Sequence, residues 1–309
     1  MTEPTAVLVL DYGTPSTESD LVGFYTHIRR GRPPSEAELA DLARRYDAIG
    51  GLSPLAERTR AQANTIGRTL ERHAPGRFTV DVAHKHTAPF IEDGLDAAID
   101  RGATRIVGVV MAPHYSAASV GDYHRRAIAH ASSAGIDYVG VPSWFDLDAF
   151  VAHQANAVRR ALRALPSNTK TLFTAHSLPE RVLVDDPYPL QLADGAALIA
   201  RSAGLGPWTG WGLAWQSAGR TPEPWRGPDV ATAIRDLAET GRSDGVLVVP
   251  HGFTSAHLEV AYDLDIEAAA TAAGHGLAFG RADVVDDDEH VMAAIAQRIV
   301  ETADAGGHP

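Results

Sequence analysis

The sequence predicts an α/β protein of two similar halves, each a four-stranded parallel sheet flanked by helices. Three observations carry that prediction. Short β-branched apolar runs alternate with longer helical patterns along the whole chain, as parallel strands joined by helical crossovers do. Four such runs precede about residue 145 and four follow it. Titratable and polar residues stand directly after several of the runs, where open parallel sheets bind their ligands.

In chain order, the first half takes strands near Ala6–Leu10, Thr79–Ala83, Arg105–Met111 and Tyr138–Val141. The second takes Thr171–Ala175, Gly210–Trp215, Gly245–Val249 and Leu277–Gly280. Helical patterns between them include Ala56–Arg72, Phe90–Arg101, Leu147–Leu165, Val230–Thr240 and His257–Ala273. The expected domains are residues 1–143 and 144–285, with a helix in 286–309 packing back on the first. Tyr12 follows the first run, Lys85 and His86 the second, His114 the third, His176 the fifth, Gln216 the sixth and His251 the seventh. That polar rim predicts a cleft between the halves.

Composition narrows the ligand. A chain of 309 residues with 45% hydrophobic and 21% charged residues fits a soluble globular protein with a sizeable core. A net charge of −12 argues against nucleic acid and anionic lipid, so an anionic ligand needs a local basic patch. There is no cysteine, which excludes disulfides, thiolate zinc sites, a cysteine nucleophile and any cluster held by four thiolates. The N-terminal Met-Thr-Glu-Pro lacks the basic region of a signal peptide, and a cytoplasmic location is expected. Ser202–Gly219 is uncharged over 18 residues, yet its five glycines make a poor membrane span. No GxxxxGK[ST] or GxGxxG loop follows the first strand, where Asp11–Ser16 stands instead, and this disfavours a nucleotide. GxSxG and HExxH are absent too.

Four groups of residues could carry chemistry. In "TAHSLPE" (174–180) an apolar strand ends in His176, and Ser177-Leu178-Pro179 then turns the chain. An imidazole there can accept a proton or bind a metal, though not both at one nitrogen. Glu259, Asp263 and Glu267 are spaced four apart, so they share one helix face. That stripe reads either as a solvated acidic face or as a path for a divalent cation moving in toward the cleft, since Glu259 lies near the strand end that carries His251. Arg29, Arg30 and Arg32 crowd one turn of an acidic protein and suit a carboxylate or phosphate, or form a basic surface loop. Trp208, Trp211, Trp215 and Trp225 read as core residues or as a face for a flat ligand.

Five segments together resemble the ferrochelatase family: "YDAIGGLSPLA" (46–56), "APHYSAASVGDYHRR" (112–126), "TAHSLPE" (174–180), "WQSAGRTPEPWRGPDV" (215–230) and "VPHGFTSAHLEVAYDLDIE" (249–267). "DYGTP" and "YTHIRRGR" are similar to the Gram-positive branch that metallates coproporphyrin III. The resemblance implies two Rossmann-like halves facing a porphyrin cleft. It implies His176 and Glu259 as the catalytic pair and Fe²⁺ insertion site, with Asp263 and Glu267 as an outer delivery site. It implies Tyr12 as axial ligand of the product iron. Thr14, Arg29, Arg45, Tyr46, Ser53 and Tyr123 match positions that hold the macrocycle and its propionates. Fe²⁺ would then be substrate, with no permanently bound cofactor and, for want of cysteine, no iron–sulfur cluster. The partners implied are coproporphyrin III, Fe²⁺ and a transient contact with the next haem-pathway enzyme; the chain is expected to be a monomer. Thr174 stands where the family usually has serine, and His251 where it usually has an apolar residue, so His251 is either a third ligand or a hydrogen-bonded rim residue. The rival functions are a protoporphyrin IX ferrochelatase, a non-catalytic haem or coprohaem carrier, and a cobalt chelatase.

Overall fold

A computed structural model describes residues 5–206, 210–219 and 221–305. Trp208 lies outside the described residues. The chain divides into two compact units, one of Met1–Ala112, Ala118–Trp144 and Asp286–Pro309, the other of Pro113–Ala117 and Phe145–Val285.

In the first unit, β1 (Thr5–Asp11), β2 (Phe78–His84), β3 (Arg105–Val110) and β4 (Asp137–Val141) form a parallel sheet in the order β2-β1-β3-β4. The strand β1 is central and every residue of TAVLVLD is buried, which is why its sequence is a continuous apolar run rather than an alternating one. Around the sheet lie α1 (Leu21–Ile28), α2 (Glu36–Ala48), α3 (Leu55–His73), α4 (Ile91–Asp100) and α5 (Val120–Ser133). The N-terminus of α2 is closed by a capping box in which the Ser35 hydroxyl accepts from Glu38 N and the Glu38 carboxylate accepts from Ser35 N.

In the second unit, α6 (Asp148–Leu162) leads to β5 (Thr169–His176), α7 (Tyr188–Ala203), β6 (Trp211–Gln216), α8 (Val230–Thr240) and β7 (Gly245–Val249). A π-helical stretch, Val260–Ala268, runs into α9 (Ala269–Gly274) and is followed by β8 (Ala278–Arg281). The sheet is parallel in the order β6-β5-β7-β8. Finally α10 (Glu289–Ala305) packs on α3, β3 and β4 of the first unit.

All eight strands lie where periodicity puts them, within two residues. The two strand orders are the same permutation: β1 and β5 are each flanked by the next strand on one side and by the one after that on the other. Such a reversal is the switch point at which open α/β sheets bind ligands, beyond the carboxyl end of the central strand. Tyr12 directly follows β1, and His176 is the last residue of β5. The helix expected over His257–Ala273 differs from expectation. Most of it is π-helical, the Ala269 N–H reaching back to Leu264 O as well as Ile266 O. The wider turn still keeps residues four or five apart on one face, and π segments are frequent at functional sites.

Candidate active site

At the switch point of the second unit, His176 and Glu259 face each other. The His176 Nδ1 meets the Ser177 carbonyl oxygen at 2.5 Å. A carbonyl can only accept, so Nδ1 carries the proton and, in the neutral ring, Nε2 keeps a lone pair. That Nε2 lies 3.6 Å from Glu259 Oε1, with both side chains about one-third exposed (36% and 34%). The position follows from the local sequence. The β5 ladder ends with His176 paired to Gln216, and Ser177 N donates to Gln216 O at 2.8 Å. Beneath it, Gly252 sits where a Cβ would come within 2.6 Å of Ala175 Cβ, so the loop after β7 can pass only without a side chain.

Glu259 lies in the first turn of the helix that continues into the π stretch, and Gln216 Nε2 donates to its carbonyl at 3.0 Å. One turn on, Asp263 is half-buried and accepts from Ser217 Oγ at 2.5 Å. Ser217 has φ of 59°, in the left-handed region a non-glycine residue seldom adopts. Glu267, another turn on, is exposed. The acidic ladder therefore runs from a half-buried carboxylate near His176 to the surface. Sequence reasoning missed Ser217 as a partner of the ladder, although it lies in the "WQSAGR" segment already singled out. It also passed over His257, whose Nδ1 accepts from Val260 N at 3.3 Å and whose ring packs on Phe253.

His251 is not part of this pair. It is fully buried, its ring packs on Phe173 and His114, and its Nε2 is 3.1 Å from Leu192 O. Of the two readings of this residue, the hydrogen-bonded one holds, in the interior rather than at the rim. His114 is also interior, 2% exposed, stacked on Phe145, with neither ring nitrogen hydrogen-bonded among the described residues. Burial pulls the His251 pKa down to about 4 and that of His114 well below its usual value. Both imidazoles are thus neutral when folded, whereas an exposed histidine titrates near ~6.5. Because the unfolded chain binds more protons, stability falls as pH drops from about 6.5 toward about 4, by on the order of 3 kcal/mol for His251. Replacing His251 with Val should flatten that acid slope, and thermal melts from pH 7 to 4 check it; parallel slopes in both proteins would remove His251 as the cause.

The first unit gathers the other candidates. Tyr12 is exposed (41%), with its ring 4.5 Å from that of His86 and 6.3 Å from Phe24. The turn that presents it needs Gly13, whose φ is +84° and whose missing Cβ leaves room for Thr87 and His84. Asp11, on the other side, is buried and accepts from Gly13 N at 3.0 Å and Thr59 Oγ1 at 2.6 Å, besides pairing with His84. His86 is kept neutral, its pKa lowered to about 3 by burial and then by Lys85.

Arg29 binds Glu38 at 2.5 Å and lies over the Tyr25 ring. The Glu38 pKa is lowered to about 2 by the N–H and hydroxyl of Ser35 and then by Arg29. Arg45 lies 3.3 Å from Asp41. Both guanidinium groups are partly exposed (28% each) and partly committed to carboxylates. Ser53 is half-buried. Thr14, Tyr46 and Tyr123 are buried, Thr14 Oγ1 and Tyr46 Oη being 3.4 Å apart, and Lys85 Nζ lies 4.9 Å from the centre of the Tyr123 ring. The tryptophans divide as well: Trp215 is buried against Tyr188, Trp211 packs on Phe173, and Trp225 is half-buried with its indole N–H on Thr221 Oγ1.

Among the described residues no helix is long and apolar enough to cross a membrane, and no group of three or more His, Asp or Glu is arranged to hold a metal ion.

The chain is 39% identical to the coproporphyrin III ferrochelatase of Geobacillus kaustophilus, covering 97% of each chain. It is 39% identical to that of Bacillus subtilis over 96% of each, and 42% identical to that of Anoxybacillus flavithermus over 84% of each. Among solved structures, SirB from Bacillus subtilis with Fe³⁺ superposes at a TM-score of 0.59 with 14% identity, covering 99% of this chain and 98% of that one. The sirohydrochlorin chelatase SirB in complex with cobalt gives 0.54 with 16% identity over 98% of each. At those identities the two structures show a shared fold. A model of the ferrochelatase family matches residues 4–303, nearly the whole length, and with relatives this similar the chain belongs to the ferrochelatase family.

Proposed function

We propose that this protein inserts Fe(II) into coproporphyrin III, giving Fe-coproporphyrin III and two protons, as a step of haem biosynthesis in the cytoplasm. The observation that carries the reading is the His176–Glu259 pair at the switch point of the second sheet. Metallation must remove two pyrrole protons while the iron sheds water. An imidazole Nε2 with a lone pair and a carboxylate 3.6 Å away can take those protons or hand over the metal. An ion between them would be held by His176 Nε2 and Glu259 Oε1, an imidazole and a carboxylate suited to a borderline divalent cation. Two donors hold an ion loosely enough to give it up. Asp263 and Glu267 supply oxygen ligands on the way in, suited to a borderline cation.

Tyr12 is proposed as the axial ligand of the product iron; a phenolate on ferric haem has chemical precedent. Arg29, Arg45, Tyr46, Ser53, Thr14 and Tyr123 are proposed to hold the macrocycle and its propionates, and Fe²⁺ enters as substrate rather than as a resident cofactor. Binding energy from the propionates would offset the strain of turning a pyrrole lone pair toward the iron. A monomer suffices for this chemistry, with release of product to a following enzyme.

Tyr12→Phe should still insert iron but lose the iron–phenolate bond, changing the visible spectrum of the product complex and speeding release. A wild-type spectrum in that variant would take Tyr12 off the iron. Arg29→Ala should weaken porphyrin binding by about tenfold or less and leave turnover at saturation nearly unchanged, because one charge-assisted contact is lost from a partly wet site. Unchanged affinity in a porphyrin titration would make the arginine turn a surface feature.

The reading itself is tested by mixing protein, coproporphyrin III and anaerobic Fe(II). Catalytic insertion gives many turnovers, with loss of the free-base bands and two protons released per iron. A carrier would instead bind one equivalent of product and release no protons from free porphyrin.

A further inference from the structure

We infer that Tyr188 is a positioning residue of His176: its hydroxyl holds the His176 carbonyl, one peptide ahead of the Ser177 carbonyl that fixes the tautomer of the imidazole. The inference rests on the reading of His176 as the group that accepts a pyrrole proton or iron through Nε2. That reading requires the proton to sit on Nδ1, and the Nδ1–H bond ends on the Ser177 carbonyl. The peptide joining His176 to Ser177 is held at both ends. Its carbonyl, His176 O, accepts from Tyr188 Oη at 3.2 Å, and its N–H, Ser177 N, donates to Gln216 O at 2.8 Å. A third bond, from Ser177 Oγ to Arg226 O at 2.7 Å, fixes the same residue from its side chain.

Gln216 and Arg226 act through backbone carbonyls that any residue supplies. Tyr188 acts through a side chain, so sequence selects it. Its ring is buried at 7% exposure, against Trp215 at 5.9 Å and His114 at 6.4 Å. Its backbone N–H donates to Asp186 Oδ1 at 2.9 Å. The other oxygen of Asp186 accepts from Ala117 N at 2.8 Å and Ser116 Oγ at 3.1 Å. Asp186 thereby sets where α7 starts and where the tyrosine ring enters. Without the hydroxyl, the His176 carbonyl loses its side-chain anchor while the bonds to Gln216 O and Arg226 O remain. The Ser177 carbonyl one peptide on is then held less closely to Nδ1, and the ring populates the Nε2–H tautomer in part. That tautomer has no lone pair facing Glu259 and can neither accept a proton there nor bind iron.

Tyr188→Phe keeps the ring and removes only the hydroxyl. Its kcat should fall about tenfold while KM for coproporphyrin III stays within about twofold and the melting temperature within a few degrees. In a His176→Ala background the same change should have no further effect, because its action passes through the imidazole. Imidazole ¹⁵N shifts should report the Nδ1–H tautomer in the wild type and a mixture in Tyr188→Phe, and this readout needs no turnover. A wild-type kcat and tautomer in Tyr188→Phe would overturn the proposal, as would an equal loss with and without His176. If His176→Ala itself turned over like the wild type, the reading of His176 would fail first and this inference with it.

Discussion

His176→Ala should fold, bind coproporphyrin III and metallate it about 10²–10⁴-fold more slowly than the wild type, the range a positioned general acid or base contributes. The side chain is one-third exposed and its contacts are few, so truncation opens no cavity in the core. The ladder bonds that end β5 run through the backbone and survive the change. Melting temperature should therefore move little. A purely structural histidine predicts the reverse, a lower melting temperature with turnover per folded molecule intact. Both quantities measured on one preparation separate the two, and an unstable but active variant would end the catalytic assignment.

Glu259→Gln should do comparable damage, since the amide neither accepts the second proton nor offers iron an anionic oxygen. The double variant should be little worse than either single one, because groups that act as a unit are strongly non-additive. Asp263→Asn removes only an outer carboxylate held by Ser217 and should show mainly at limiting iron.

The other large effect concerns the porphyrin. Coproporphyrin III carries four propionates and protoporphyrin IX two. Of the 27 cationic side chains in this acidic chain only Lys85 and Lys170 are lysine, and the arginines include the Arg29–Arg32 turn and Arg45. Guanidinium groups bind carboxylates through two parallel hydrogen bonds, which lysine cannot do. Arg29 and Arg45 are held by Glu38 and Asp41 on a partly exposed surface. A propionate can thus exchange for a protein carboxylate without a newly buried charge. Two extra propionates, each worth about 1 kcal/mol net in a wet site, give coproporphyrin III an advantage of tenfold or more.

Much of this was legible in the sequence, for identifiable reasons. Buried stretches of the central strands write themselves as apolar runs, so Ala6–Leu10 and Thr171–Ala175 stood out within Thr5–Asp11 and Thr169–His176, and with them the rim positions Tyr12 and His176. Side-chain burial at the rim did not show. His114 and His251 follow strands as Tyr12 does, yet both turn into the second unit's interior, where glycine at 195 leaves space for His114 and the Leu192 carbonyl lies 3.1 Å from His251 Nε2. A residue's place after a strand fixes its backbone, not the direction of its side chain. The π-helical turn was equally hidden, since residues spaced by four fit it as well as an α-helix. Tyr188 gave no periodic or motif signal; its role depends on the Asp186 turn that only the fold assembles.

One competition experiment tests the central claim most directly. Equal concentrations of coproporphyrin III and protoporphyrin IX, excess over limiting anaerobic Fe(II), are incubated with catalytic protein and the iron porphyrins are separated and counted. Fe-coproporphyrin III should hold nearly all the iron, at least tenfold over Fe-protoporphyrin IX. An equal or reversed partition would contradict the assignment and move the protein to the protoporphyrin branch.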